Sequence, residues 1–179
     1  MNLPRLAIIG AGALATRRIY PNIGAAGACL VAACDLDEAK ARDNCRRWGG
    51  TPYGDWERML AEMKPDGVIV CIDGERHAQF ACALLERGIP VYTEKPPAPA
   101  LATAERIAAV ARRTGTSYQC AFKKRYGEAA TRATRWLGGF PRERWLAYGA
   151  TYASGHYDNR SQRRDFLFDF AIHHLDLAQ

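Results

Sequence analysis

An apolar run that stops at a glycine constrains this chain more than any other feature. Leu6-Ala7-Ile8-Ile9 leads into Gly10, a second glycine follows at Gly12, and helix-forming residues begin at once. Gly10 allows a tight strand-to-helix turn, and Gly12 lets backbone N–H groups approach a pyrophosphate with no Cβ in the way. Ala15 takes the third position of G-x-G-x-x-G/A and is small enough for close helix–strand packing. Helix N-termini attract anions through their free N–H groups, which adds Ala13 and Leu14 to the candidate contacts. The spacing reads as a dinucleotide site. The bland alternative is an ordinary tight turn.

A second strand-like run, Cys29-Leu30-Val31-Ala32-Ala33-Cys34, ends at Asp35. An acid at about this distance from the glycines is placed to take the ribose hydroxyls of a dinucleotide. A plain helix cap is the other reading of Asp35. Leu36 and Asp37 follow, with no Arg or Ser set to take a 2′-phosphate, and a carboxylate repels that phosphate. NAD(H) is therefore favoured over NADP(H).

Strands and helices then alternate. A polar helix from about Asp37 to Trp48 ends at Gly49-Gly50, and a short strand is expected near Thr51-Pro52-Tyr53. The amphipathic piece Asp55 to Met63 precedes Gly67-Val68-Ile69-Val70-Cys71-Ile72, a run typical of a strand buried on both faces. Glu75 to Arg87 reads as helix, Ile89 to Thr93 as strand, and Leu101 to Arg113 as helix closed by Thr114-Gly115. A β-α repeat of this kind predicts a doubly wound parallel α/β sheet, a Rossmann domain over residues 1–115.

After Gly115 the pattern changes. Ser117 to Phe122 is strand-like, Glu128 to Leu137 helical, and Trp145 to Tyr152 is expected to begin a second sheet. Residues 116–179 are read as the start of an α+β domain with an open sheet.

The composition fits a globular enzyme domain, at 48% hydrophobic and 25% charged. No apolar run is long enough to span a bilayer, and no secretory signal precedes the glycine turn. The six cysteines at 29, 34, 45, 71, 82 and 120 form no C-x-x-C pair and no metal-like cluster. They read as small hydrophobes in a reducing cytoplasm. The net charge of +6 comes from the second half, where residues 101–179 carry 13 Lys/Arg against 7 Asp/Glu. Its basic groups, such as Lys123-Lys124-Arg125 and Arg163-Arg164, are short and interrupted. A solvated face is favoured over an anionic substrate, and both over nucleic acid. Neither nucleic acid nor a membrane is an expected partner.

Glu94-Lys95-Pro96 closes the fifth strand, and Asp169 and His173 lie four apart in the last helix-like stretch. With Gly10, Gly12 and Asp35, these motifs resemble the glucose–fructose oxidoreductase and inositol dehydrogenase family (Gfo/Idh/MocA). The likeness extends from Leu6 to Asp176 in the right order, and Val68 to His77 resembles that family's fourth strand and following turn. It implies hydride transfer between NAD and a carbon bearing a hydroxyl on a sugar, cyclitol or other polyol. It also implies cofactor contacts from Ile72, His77, Glu94 and Lys95.

Hydride leaves a carbinol carbon only as its hydroxyl proton is removed, so a base must lie within hydrogen-bond reach of that oxygen. The resemblance gives Lys95 to the oxygen and the nicotinamide region, His173 to the proton, and Asp169 to the imidazole. Residues four apart share a helix face, which suits that pair. A solvated loop lysine is the alternative for Lys95, and Pro96 is a candidate cis residue. His174 and Asp176 read better as packing or capping residues, while Tyr126, His156 and Tyr157 divide evenly between pocket and scaffold.

Two departures bear on substrate: Arg163-Arg164-Asp165-Phe166-Leu167 replaces a glycine-rich turn, and Ile72-Asp73 replaces the usual Thr-Pro. The chain ends at Gln179, where the family continues its second sheet, so a fragment is favoured over a homo-oligomer that completes the sheet. A dinucleotide-binding regulator without turnover and an NAD-dependent glycosidase are the alternatives to the dehydrogenase.

Overall fold

A computed structural model describes residues 2–151 and 171–179. The described chain divides into two units, Met1–Cys120 and Ala121–Gln179.

In the first unit six strands form one sheet: β1 (Arg5–Ile9), β2 (Cys29–Cys34), β3 (Thr51–Tyr53), β4 (Gly67–Val70), β5 (Val91–Thr93) and β6 (Tyr118–Cys120). Every pairing is parallel and the order is β3-β2-β1-β4-β5-β6. The order reverses between β1 and β4, the place where such sheets open a crevice at the strands' carboxyl ends. The connecting helices are α1 (Glu38–Trp48), α2 (Trp56–Met63), α3 (Gly74–Glu86) and α4 (Leu101–Thr114).

Side chains alternate across a strand, so β1 divides its residues between two cores. Ala7 and Ile9 join Val68 and Val70 beneath α2, α3 and α4, against Met59, Leu84, Leu85 and Ile107. Ile8 faces the other way, with Ala33, Ala15, Tyr20 and Ala41. Full burial of a Leu or Ile side chain contributes roughly 1.5–3 kcal/mol. Helix starts are set locally: the Asp55 carboxylate accepts from the N–H groups of Glu57 and Arg58 at 2.8 and 3.0 Å, and Asp73 accepts from Glu75 at 3.2 Å. These are N-caps, each worth about 1 kcal/mol.

Two local expectations change in this unit. The helix after the glycine turn is wound as π-helix over Ala15–Ile19 and as 3₁₀-helix over Tyr20–Asn22, not as a regular α-helix. Pro21 has no N–H to continue an α-helical ladder, and it stands at the start of the tighter turn. The boundary drawn after Gly115 also falls too early. β6 pairs Tyr118, Gln119 and Cys120 with Val91, Tyr92 and Thr93, so the strand expected to open the next domain completes the first sheet.

The second unit holds a 3₁₀ turn (Lys123–Tyr126), α5 (Glu128–Leu137), a second 3₁₀ turn (Arg142–Arg144) and α6 (Ile172–Leu177). The strand expected from Trp145 is missing from residues 145–151, and no described residue of this unit offers a strand to pair with it. Arg125 and Asp176 join the first turn to α6 by a two-pronged ion pair, the Arg125 Nε donating at 3.0 Å. One cation of the Lys123-Lys124-Arg125 run is thus structural, as is Asp176. No helix among the described residues is long and apolar enough to cross a membrane.

Candidate functional site

The carboxyl ends of β1, β2, β4 and β5 bring most of the expected residues to one edge of the sheet. Gly10 lies there with φ of 107°, donates its N–H to Cys34 O at 2.8 Å, and sits beside the end of β4. A Cβ at this position would fall 2.1 Å from the Cys71 carbonyl oxygen. Glycine is therefore required twice over, by backbone conformation and by space. Gly12 differs. No atom lies within 4 Å of where its Cβ would be, so the turn opens onto free space just before Ala13 and Leu14. Ala15 is fully buried against the sheet, as the small third position requires.

Asp35 stands one residue past β2. Its Oδ2 accepts the Ala11 N–H at 2.7 Å and its Oδ1 accepts the Asp37 N–H at 2.9 Å. The carboxylate thus steadies the glycine turn as well as the start of the next segment. Each oxygen keeps a further lone pair. Asn44, on α1, reinforces the same turn from below, donating to Thr16 Oγ1 at 3.0 Å.

A cavity of about 110 Å³ adjoins Asp35, walled by Leu36, Trp56, Ile72, Arg76 and Phe80. Trp56 and Phe80 meet edge to face at 5.3 Å, and the Arg87 guanidinium lies over Trp56 at 5.0 Å. Sequence reasoning placed Ile72 here but missed Trp56, Arg76 and Phe80. The available signal was positional: each follows a strand's carboxyl end, either in the connecting helix's first turn or two turns along it. Flat apolar walls beside a carboxylate and a cation suit a heteroaromatic ring joined to a ribose.

Glu94, Lys95 and Pro96 leave the end of β5. Glu94 is buried, donates its N–H to Val70 O at 3.1 Å, and accepts the Lys95 N–H on Oε2 at 3.2 Å. The peptide between Lys95 and Pro96 is cis. Beneath them, the Thr93 and Tyr118 hydroxyls are 2.8 Å apart, and burial pushes the Tyr118 phenol up to about 12. Glu94 therefore holds the Lys95 backbone N–H at the strand end.

His77, expected to touch a cofactor, has its side chain wholly buried in α3. Its Nδ1 lies 2.7 Å from the Pro96 carbonyl oxygen and, facing an acceptor, carries the proton. Burial holds this imidazole below its usual range, so the ring is neutral near pH 7. His77 thereby fixes the loop at Pro96.

His173 is buried in α6 of the second unit, and His174 follows it on the same helix. Asp169, His156 and Tyr157 lie outside the described residues. Tyr126 is two-thirds exposed at the end of the first 3₁₀ turn.

Comparison with known proteins follows this geometry. The model of the oxidoreductase family with an NAD-binding Rossmann fold (Gfo/Idh/MocA) matches residues 4–122. The chain belongs to this family. Among curated relatives, D-glucoside 3-dehydrogenase of Escherichia coli (strain K12) is 33% identical over 129 residues, covering 68% of this chain and 35% of that protein. Inositol 2-dehydrogenase of Paracoccus denitrificans (strain Pd 1222) is 30% identical, covering 68% and 38%. Among solved structures, KijD10, a 3-ketoreductase from Actinomadura kijaniata in complex with NADP, is 27% identical with a TM-score of 0.71. That alignment covers 77% of this chain and 44% of the ketoreductase. The chain thus spans little more than a third of the length of these curated Gfo/Idh/MocA relatives.

Proposed function

We propose that this Gfo/Idh/MocA chain serves an NAD-dependent oxidoreductase acting on a hydroxyl or ketone of a sugar, cyclitol or other polyol. The observation that carries this reading is the convergence of an open glycine turn, the Asp35 carboxylate and Lys95 at neighbouring strand ends. Room over Gly12, where no atom lies within 4 Å of a Cβ position, fits a pyrophosphate. The apolar walls of the cavity beside Asp35 suit an adenine ring, with the remaining lone pairs of the carboxylate accepting the ribose hydroxyls. A 2′-phosphate brought to the same carboxylate meets like charge, which favours NAD over NADP.

When bound, the nicotinamide ring accepts or delivers the hydride. The chain's own residues do the rest. Lys95 presents its ammonium to the reacting oxygen and stabilises the charge that develops as the carbinol proton departs. Glu94, buried and bonded to the Lys95 backbone N–H, holds that lysine at the strand end. His173 takes the proton on its imidazole. Asp169 holds the imidazole in the same reading.

Lys95→Met is the test. Turnover in a screen of sugars and cyclitols should fall about 10²–10³-fold, while ADP-ribose still binds as it does to wild type and NADH weakens by no more than about tenfold. Undiminished turnover in that variant would sink the assignment. Release of a glycosidic leaving group with no net change in cofactor absorbance would turn the reading toward a glycosidase.

A further inference from the structure

The loop that carries Lys95 is held at three points, and two of them come from one turn of α3. Glu94 Oε2 takes the Lys95 N–H at 3.2 Å on one side. On the other side His77 Nδ1 meets the Pro96 carbonyl oxygen at 2.7 Å. Under the Pro96 ring lies Gly74, the first residue of α3. A Cβ on Gly74 would stand 3.0 Å from Pro96 Cγ and 3.1 Å from Cδ. Those ring atoms belong to the residue that follows Lys95, so a Cβ here presses on the Lys95–Pro96 segment. Gly74 is not among the residues with positive φ, and its small size is explained by this notch, not by its own backbone.

We infer that His77 and Gly74 are positioning residues, a clamp in the first turn of α3 that seats Pro96 and thereby aims Lys95. Neither reaches the crevice itself: His77 is fully buried, and Gly74 has no side chain. The inference rests on the reading of Lys95 as the group at the reacting oxygen. It adds the devices that set where that lysine stands. α3 begins immediately after β4, and the loop it grips leaves β5, so the clamp ties together two strand ends flanking the crevice.

Three variants separate aiming from folding. Gly74→Ala crowds the Pro96 ring in a helix that alanine otherwise favours. His77→Leu removes the hydrogen bond, and His77→Asn restores a donor near the Nδ1 position. Each is studied in the 179-residue chain by the Lys95 amide resonance in a nitrogen–proton correlation spectrum. Binding of two probes is measured alongside: NADH, and ADP-ribose, which lacks the nicotinamide. Gly74→Ala and His77→Leu should move the Lys95 amide and weaken NADH roughly three- to tenfold, with ADP-ribose unchanged. His77→Asn should recover most of the NADH affinity. The clamp is overturned if Gly74→Ala leaves both the Lys95 amide and the NADH to ADP-ribose ratio at wild-type values. Equal weakening of both probes by Gly74→Ala and His77→Leu overturns it as well, because that marks general loosening. A wild-type chain that binds neither probe contradicts the dinucleotide reading instead, and the Lys95 amide then judges the clamp alone.

Discussion

Met1–Cys120 and Ala121–Gln179 are built from similar proportions of apolar residues but treat them in opposite ways. In the first unit strands, helices and turns converge on two cores, and Ile8, Met59, Leu84, Leu85 and Ile107 are almost wholly enclosed. In the second, α5 buries no residue at all, while Leu146 is 95% exposed and Trp136 67%. The cause is the sheet. A parallel sheet offers two apolar faces, and each crossover helix returns one stripe of its own to one of them. Among the described residues the second unit has helices and turns only, with no sheet face for the aromatic side of α5 to meet. Among the described residues, a core large enough to repay ordering the chain is assembled in the first unit.

The largest expected contrast sets two glycines of one turn against each other. Gly10→Ala places a Cβ 2.1 Å from the Cys71 carbonyl at a φ of 107°, and should destabilise the fold by about 2–6 kcal/mol. Gly12→Ala has open space and should leave the melting temperature unchanged while lowering NADH affinity. Paired thermal melts and NADH titrations read both. Equal loss of stability in the two variants breaks the distinction between a glycine for the fold and a glycine for the ligand.

Next comes the contrast between units. Leu84→Ala, at a position with no exposure, should cost about 2–5 kcal/mol in urea unfolding. Trp136→Ala, on an open helix face, should stay within about 0.5 kcal/mol. A large effect at Trp136 would mean that the second unit contains a core of its own.

The smallest effect is a pH dependence. Burial lowers the folded-state pKa of His77 beneath its unfolded value near 6.5. Below that value the unfolded chain binds a proton that the folded chain refuses, so stability rises with pH through this window and is lost as pH falls. The limiting slope is about 1.4 kcal/mol per pH unit. Urea midpoints between pH 7 and 5 should fall less steeply in His77→Asn than in wild type.

Much of the first unit was legible before any coordinates because local signals agreed with the global pattern. The run Leu6–Ile9, the acid at Asp35 and the glycine-bounded helices each report on their own neighbourhood, and parallel α/β architecture follows from their alternation. β6 was assigned to the wrong side of the boundary because three residues, Tyr118–Cys120, carry no periodicity that identifies their partner. Only pairing with Val91–Thr93 decides it. The contact His77 makes in the fold was hidden for a related reason. A histidine beside a ligand crevice is equally compatible with facing in or facing out, and the deciding contact is to a carbonyl 19 residues away. Trp56, Arg76 and Phe80 went unnoticed because they are scattered along the sequence and meet only around one cavity. At Trp145 the aromatic, β-branched pattern predicted a strand, and residues 145–151 form none; the described residues of this unit offer no strand for it to pair with.

The most direct test of the central claim is a fluorescence titration of the 179-residue chain with NADH and with NADPH under identical conditions. Saturable binding of NADH, with NADPH weaker by roughly tenfold or more through repulsion at Asp35, is the predicted result. Absence of NADH binding, or tighter binding of NADPH, would contradict it.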